Sequence, residues 1–166
     1  MTLLPSLKQF ELILGHDFYS FFQEAFRTLH PNLSYEESWH AEVICRAVTD
    51  FMGQDADQNL VANAPPRSLK SEIVSVALVA YLLGKNPSLR ILCVSYSQQI
   101  ADAFARDTRT VMDADWYRRI FPTMRIKRSN ENGIFTTKGG YRRTISVGGS
   151  VTGYGSDLTI IDDPIR

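Results

Sequence analysis

Residues 60–83 read LVANAPPRSLKSEIVSVALVAYLL, a short apolar run, a turn through Pro65-Pro66, the pair Lys70-Ser71, and a long apolar segment. The order strand, loop, helix puts an anion where Lys70 stands, because the first amides of a helix point outward unpaired and a lysine adds countercharge. The loop aligns Ala64-x-x-x-x-Leu69-Lys70-Ser71 with the phosphate-binding pattern Gly-x-x-x-x-Gly-Lys-Ser/Thr, and neither glycine is present. Leu69 must therefore adopt a backbone conformation that a branched side chain resists, or the site is weakened. An ordinary strand-to-helix connection explains these eight residues equally well, and a carboxylate at the end of a later strand would decide between the two.

Leu158-Thr159-Ile160-Ile161-Asp162-Asp163-Pro164 supplies one. An apolar β-branched run ends in two acids, and proline stops the strand. In phosphate-loop enzymes an acid at such a strand end holds Mg²⁺ opposite the loop hydroxyl, and a neighbouring acid orients the attacking water. Acids commonly end strands, so this pair gains its meaning from Lys70-Ser71.

Between these two stretches the pattern alternates. Ile73–Leu83 is apolar almost all round and ends at Gly84-Lys85-Asn86-Pro87. Arg90–Ser95 is a continuous apolar strand of the kind found in parallel sheets covered on both faces. Ser97 caps a helix to about Met112 with Ile100, Ala101, Phe104 and Val111 inward, and Trp116–Phe121 forms a short one that Pro122 stops. Ile134–Thr137 and Tyr141–Val147, joined through Gly139-Gly140, read as an inserted β-hairpin, followed by the glycine-rich loop 148–155. The expectation is a doubly wound, mostly parallel α/β sheet of the phosphate-loop NTPase type, with ligands at the carboxyl ends of its strands.

Upstream, residues 1–55 read as an N-terminal helical segment and 56–166 as a partial ATPase domain. Asp17–Leu29 carries Phe18, Phe21, Phe22, Ala25, Phe26 and Leu29 at helical spacing. Ser34-Tyr35-Glu36-Glu37 has the form of a capping box, which predicts a helix over 35–51 with Trp39, Val43, Ala47 and Phe51 on its apolar face and Ile44 and Val48 beside it.

The chain's 166 residues, 44% hydrophobic and 22% charged, suit one soluble globular domain with a real core. No apolar run approaches the ~18 residues of a membrane span, and the N-terminus lacks the marks of a signal peptide, so a cytoplasmic protein is expected. Cys45 and Cys93 sit in apolar company and read as buried free thiols. Net charge is zero but unevenly spread: residues 1–59 hold three basic residues against nine acids, and 104–143 hold ten against four. A solvated face accounts for that excess by default; a nucleic-acid or subunit contact through residues such as Arg142 and Arg143 is the alternative.

Three segments, PPRSLKSEIVSVALVAYLLGKNP, ILCVSYSQQIADAFARDTR and YRRTISVGGSVTGYGSDLTIIDDPIR, together resemble the ATPase domain of the large terminase subunit of tailed bacteriophages and prophages. The likeness runs from about Trp39 to the C-terminus and leaves out residues 1–33. It implies a motor that couples ATP hydrolysis to movement of double-stranded DNA into a capsid, in a homo-oligomeric ring with a portal protein and a small terminase subunit, in the bacterial host cytoplasm. By position, Lys70 matches the Walker A lysine, Ser71 the hydroxyl on Mg²⁺, and Arg67 the sensor of the γ-phosphate, with Pro66, Ser68 and Leu69 completing the ATP loop. Asp162 matches the Walker B aspartate, Asp163 stands where relatives carry the catalytic glutamate, and Trp39-His40 falls near the adenine. Leu69 for glycine and Tyr154 for arginine are departures, expected to weaken nucleotide affinity and to remove a charge that stabilises the transition state or contacts a neighbour. Because the chain stops three residues after Asp163, the remaining strands and the nuclease domain of the family are expected to be missing. Another phosphate-loop DNA translocase or helicase, or a degenerate remnant acting as a binding module, would share Lys70 and the two acids.

Overall fold

The structure, a computed structural model, describes residues 6–54, 58–130, 133–146, 153 and 155–163. Three helices come first: α1 (Leu7–His16), α2 (Phe18–Leu29) and α3 (Trp39–Met52). Ser6 and Gln9 form a reciprocal capping box on α1, and the Asp17 carboxylate accepts from the Ser20 amide at 2.7 Å to start α2. The helix carrying Lys70 and Ser71 widens at once into a π-helical segment, Glu72–Ala77, and continues as α4 (Leu78–Lys85). Then come β1 (Arg90–Ser95), α5 (Gln98–Asp113), α6 (Asp115–Ile120), β2 (Ile126–Asn130), β3 (Gly133–Thr136), β4 (Tyr141–Ser146) and β5 (Leu158–Asp162).

The five strands make one mixed sheet in the order β2-β3-β4-β1-β5. Its centre is parallel, with β1 between β4 and β5, and β2-β3-β4 are joined antiparallel. The expected hairpin is present as β3 and β4, and β2 extends it by a strand the apolar pattern does not announce. The fold is therefore α/β with a mixed sheet.

Helices cover one face of that sheet. α5 lies on β4 and β1, and the π segment on β5. Register places Ile91, Cys93 and Ile160 on this face, and all three belong to the main core. On the opposite face Leu92 and Ile145 are buried outside that cluster, while Ile161 is 62% exposed. The expectation of two covered faces is thus met on one side among the described residues.

The core continues from Phe18 of α2 to Ile160 of β5. Phe21 is fully buried at its centre, with ring centroids of Tyr81 at 5.1 Å, Trp116 at 5.2 Å, and Tyr117 and Phe121 at 6.1 Å. Polar tips of these aromatics are satisfied: Tyr117 donates to the Ala80 carbonyl at 2.7 Å and the Trp116 indole to Thr28 at 3.0 Å. Burial pushes the Tyr117 hydroxyl well above its ordinary range and the Cys45 thiol up to about 12, and both cysteines are buried and free, as their apolar surroundings suggest.

Two expectations need correction. Leu60-Val61-Ala62 is not a strand; Val61 is 88% exposed, and this run, too short to pack by itself, pairs with no strand among the described residues. α3 begins at Trp39 rather than 35, Ser34–Glu37 is irregular, and the buried stripe is the neighbouring one, in which Ala41 and Cys45 join the flanking Ile44 and Val48. Trp39 and Val43 stand 78% and 55% exposed, because the smaller stripe lets α3 approach α2 and the π segment closely.

Candidate functional site

The helix that begins at Lys70 starts beside the carboxyl end of β5, where the Lys70 ammonium meets Asp162 and Asp163. No earlier turn supplies acceptors for its first amides, so they are free to face an anion. The loop before it is held in an unusual conformation: Arg67 has φ 65° and Leu69 φ 60°, both left-handed, with Ser68 of ordinary sign between them. Alternation of this kind turns successive N–H groups toward a common concavity. Leu69 thus takes the conformation that glycine supplies in the standard pattern, at a cost of roughly 1–2 kcal/mol for an L side chain. Its side chain is partly buried against the core, which holds it there.

Ser68 is 5% exposed, and its hydroxyl is buried without a hydrogen-bond partner. Pro66 and Arg67 are exposed. The Lys70 ammonium donates to Asp163 Oδ1 at 2.8 Å and lies 3.7 Å from Asp162 Oδ1. The hydrogen bond to Asp163 raises the Lys70 pKa above its ordinary value, against a smaller opposing effect of burial, so the ammonium stays charged.

The two acids differ sharply in setting. Asp162 is 8% exposed and accepts from the Ser75 hydroxyl at 2.9 Å, whereas the Asp163 side chain is 76% exposed on a left-handed residue, φ 42°. A fixed inner carboxylate and a free outer one therefore flank one lysine. The hydroxyl on Asp162 belongs to Ser75, while Ser71, the hydroxyl expected on Mg²⁺, lies a turn earlier and is half-buried. A lone serine inside IVSVALVAYLL was the available signal for this contact.

Glu72 follows Ser71 and pairs with His30 Nε2 at 3.0 Å, tying the loop helix to the end of α2. Trp39, expected near an adenine, has its ring against that of His40, with centroids 5.9 Å apart, and stands exposed at the start of α3. Tyr154 and most of the glycine-rich loop lie outside the described residues.

Arg142 also differs from its expected surface position. It is completely buried on the helix-covered face, donating to Thr144 Oγ1 at 2.6 Å, with Nε and Nη2 unpaired. Asp107 of α5 is near enough to feel it: burial pushes that carboxyl up, and Arg106, His30 and Arg142 pull it back.

Among the described residues no three His, Cys, Asp or Glu side chains cluster to hold a bare metal ion. A divalent cation beside Asp162 would need phosphate oxygens and water for the rest of its shell. No helix among them is long and apolar enough to cross a membrane. The chain matches no protein-family model, no curated protein and no solved structure.

Proposed function

We propose that this chain carries the nucleotide-binding part of a phosphate-loop motor of the phage terminase large-subunit kind, which hydrolyses ATP to move double-stranded DNA. The observation that carries the proposal is the meeting of Lys70 with Asp162 and Asp163 at the head of a helix whose entry loop holds Leu69 left-handed. A lysine and a strand-end acid pair, far apart in sequence, rarely converge on a strained loop without a ligand to explain the strain.

The residues fit Mg²⁺-ATP. The buried, unpartnered Ser68 hydroxyl, the alternating hand of Arg67 to Leu69 and the free amides of the helix start form a cradle for phosphate oxygens. Mg²⁺, if bound with ATP, would supply charge neutralisation for the phosphates, held through Asp162 and Ser71. Lys70 then exchanges its carboxylate partners for phosphate oxygens. Asp162, fixed by Ser75, is the acid to face the cation, with Ser71 as the loop hydroxyl. Asp163, exposed and released as Lys70 turns to phosphate, would orient a water, and Arg67, exposed on the loop, would meet developing charge. In the assembled motor the partners would be duplex DNA, further copies of the chain, a portal protein and a small subunit, in the cytoplasm of a bacterial host.

Calorimetric titration of Mg²⁺-ATP into wild type and Lys70→Ala tests the site. Binding by the wild type that weakens at least tenfold in Lys70→Ala is expected. Equal affinity in the two, or no binding in either, overturns the assignment.

A further inference from the structure

The basic excess of residues 104–143 resolves into two unequal parts once the fold is known. Arg109 and Arg118 are both paired with Asp113, Arg119 bonds Glu11 at 2.6 Å, and Arg142 is interior. Apart from the exposed Arg106 of α5, what remains lies on the antiparallel unit β2-β3-β4, at the sheet edge away from β5.

There Arg125, Lys127, Arg128 and Lys138 are all exposed. The Thr137 amide donates to the Arg125 carbonyl at 2.9 Å, which sets Arg125 beside the turn that carries Lys138. Arg128 lies over the Phe135 ring at 4.1 Å, so its guanidinium is positioned on the open face before any ligand arrives. Four exposed cations share one short ribbon, none with an ion-pair partner among the described residues, and their summed field favours a polyanion laid across them.

We infer that the exposed ribbon of Arg125, Lys127, Arg128 and Lys138 is a surface that grips the phosphate backbone of duplex DNA. The inference rests on the DNA-motor reading for its choice of polyanion and on charge and geometry for its location. Because the Lys138 turn precedes β4, it lies at the amino end of the parallel strands, opposite Lys70 and Asp163 at their carboxyl end. Contacts here are to phosphates, so binding is independent of sequence and falls steeply with salt. The competing explanation is that charged residues on β2 merely keep the edge from pairing with another sheet.

The test is fluorescence anisotropy of a labelled duplex with the full chain, without nucleotide, over a series of salt concentrations. In Lys127→Ala/Arg128→Ala/Lys138→Ala, affinity near 0.1 M salt should fall at least about tenfold, and the slope of log K against log salt should fall by about 2–3, close to 0.9 for each phosphate no longer neutralised. Lys8→Ala/Lys85→Ala/Arg27→Ala, which removes as much charge elsewhere, should bind as wild type does. Unchanged affinity and slope in the ribbon variant, or an equal loss in both variants, overturns the inference, as does a ribbon variant that only self-associates. Mg²⁺-ATP titration of the ribbon variant keeps the two sites separate: unchanged nucleotide affinity with lost DNA binding is expected.

Discussion

Phe21 and Leu69 are both apolar, and both pack on the same core. Phe21 sits mid-helix, wholly buried, with the rings of Phe18, Tyr81, Trp116, Tyr117 and Phe121 around it. Leu69 is half-buried at a helix entrance, with its backbone in a region that L residues avoid. Burial at the first position adds dispersion and desolvation without strain. At the second, the same forces hold a loop in a shape that the chain would otherwise leave. The aromatic layer is thus stable in itself, whereas the loop depends on the packing of Leu69 against the core.

The sharpest way to break this contrast is Phe21→Ala. Loss of about 3–5 kcal/mol is expected in urea unfolding, with the cavity opened among five rings as the cause. A cost near 1 kcal/mol would mean that α2 contributes little to the core. Ser75→Ala comes next, at about 1–3 kcal/mol, because it removes the donor from a nearly buried Asp162 carboxylate. Ser75→Thr, which keeps a hydroxyl, should recover part of that loss. The smallest change is expected of Leu69→Gly. A large-to-small substitution at a well-packed core position ordinarily costs about 2–5 kcal/mol. Here relief of the left-handed backbone offsets the reduced packing, and stability should stay within about 1 kcal/mol of wild type. A full core-like penalty would show that the strain attributed to Leu69 is absent.

Much of this arrangement is legible in the residues. Continuous apolar runs locate β1 and β5, the phenylalanine spacing locates α2, and Ser97 starts α5 with its hydroxyl accepting from the Ile100 amide at 3.2 Å. What escapes depends on partners that local pattern does not name. Leu60-Val61-Ala62 has strand composition, but a strand exists only with a neighbour, and β2, with the sequence IKRSN, exists because β3 pairs with it. α3 offers two apolar stripes, and close approach selects the one lined by Ala41 and Cys45 rather than the one with Trp39. Arg142 and Arg143 look alike as charges. Neighbouring residues of a strand face opposite ways, so one of the two had to turn inward once β4 became central. At the candidate site Lys70, Asp162 and Asp163 were all readable in advance, whereas Ser75, a lone hydroxyl inside an apolar run, was not.

The π segment sets how the two ends of this helix are turned relative to each other. The Leu78 amide bonds back to the Ile73 carbonyl, five residues earlier, so one residue more than an α-helix needs is accommodated in the turn. At about 100° per residue, the end of the rod that bears Lys70 is out of phase with the end that packs through Leu78, Val79 and Leu83. The widened turn works as a coupling between two shafts set at different angles: one keeps its teeth in the core while the other is indexed toward β5. Deleting one residue from 72–77 would let the rod run as a uniform helix, and would swing either the lysine off its two acids or the apolar face off the sheet.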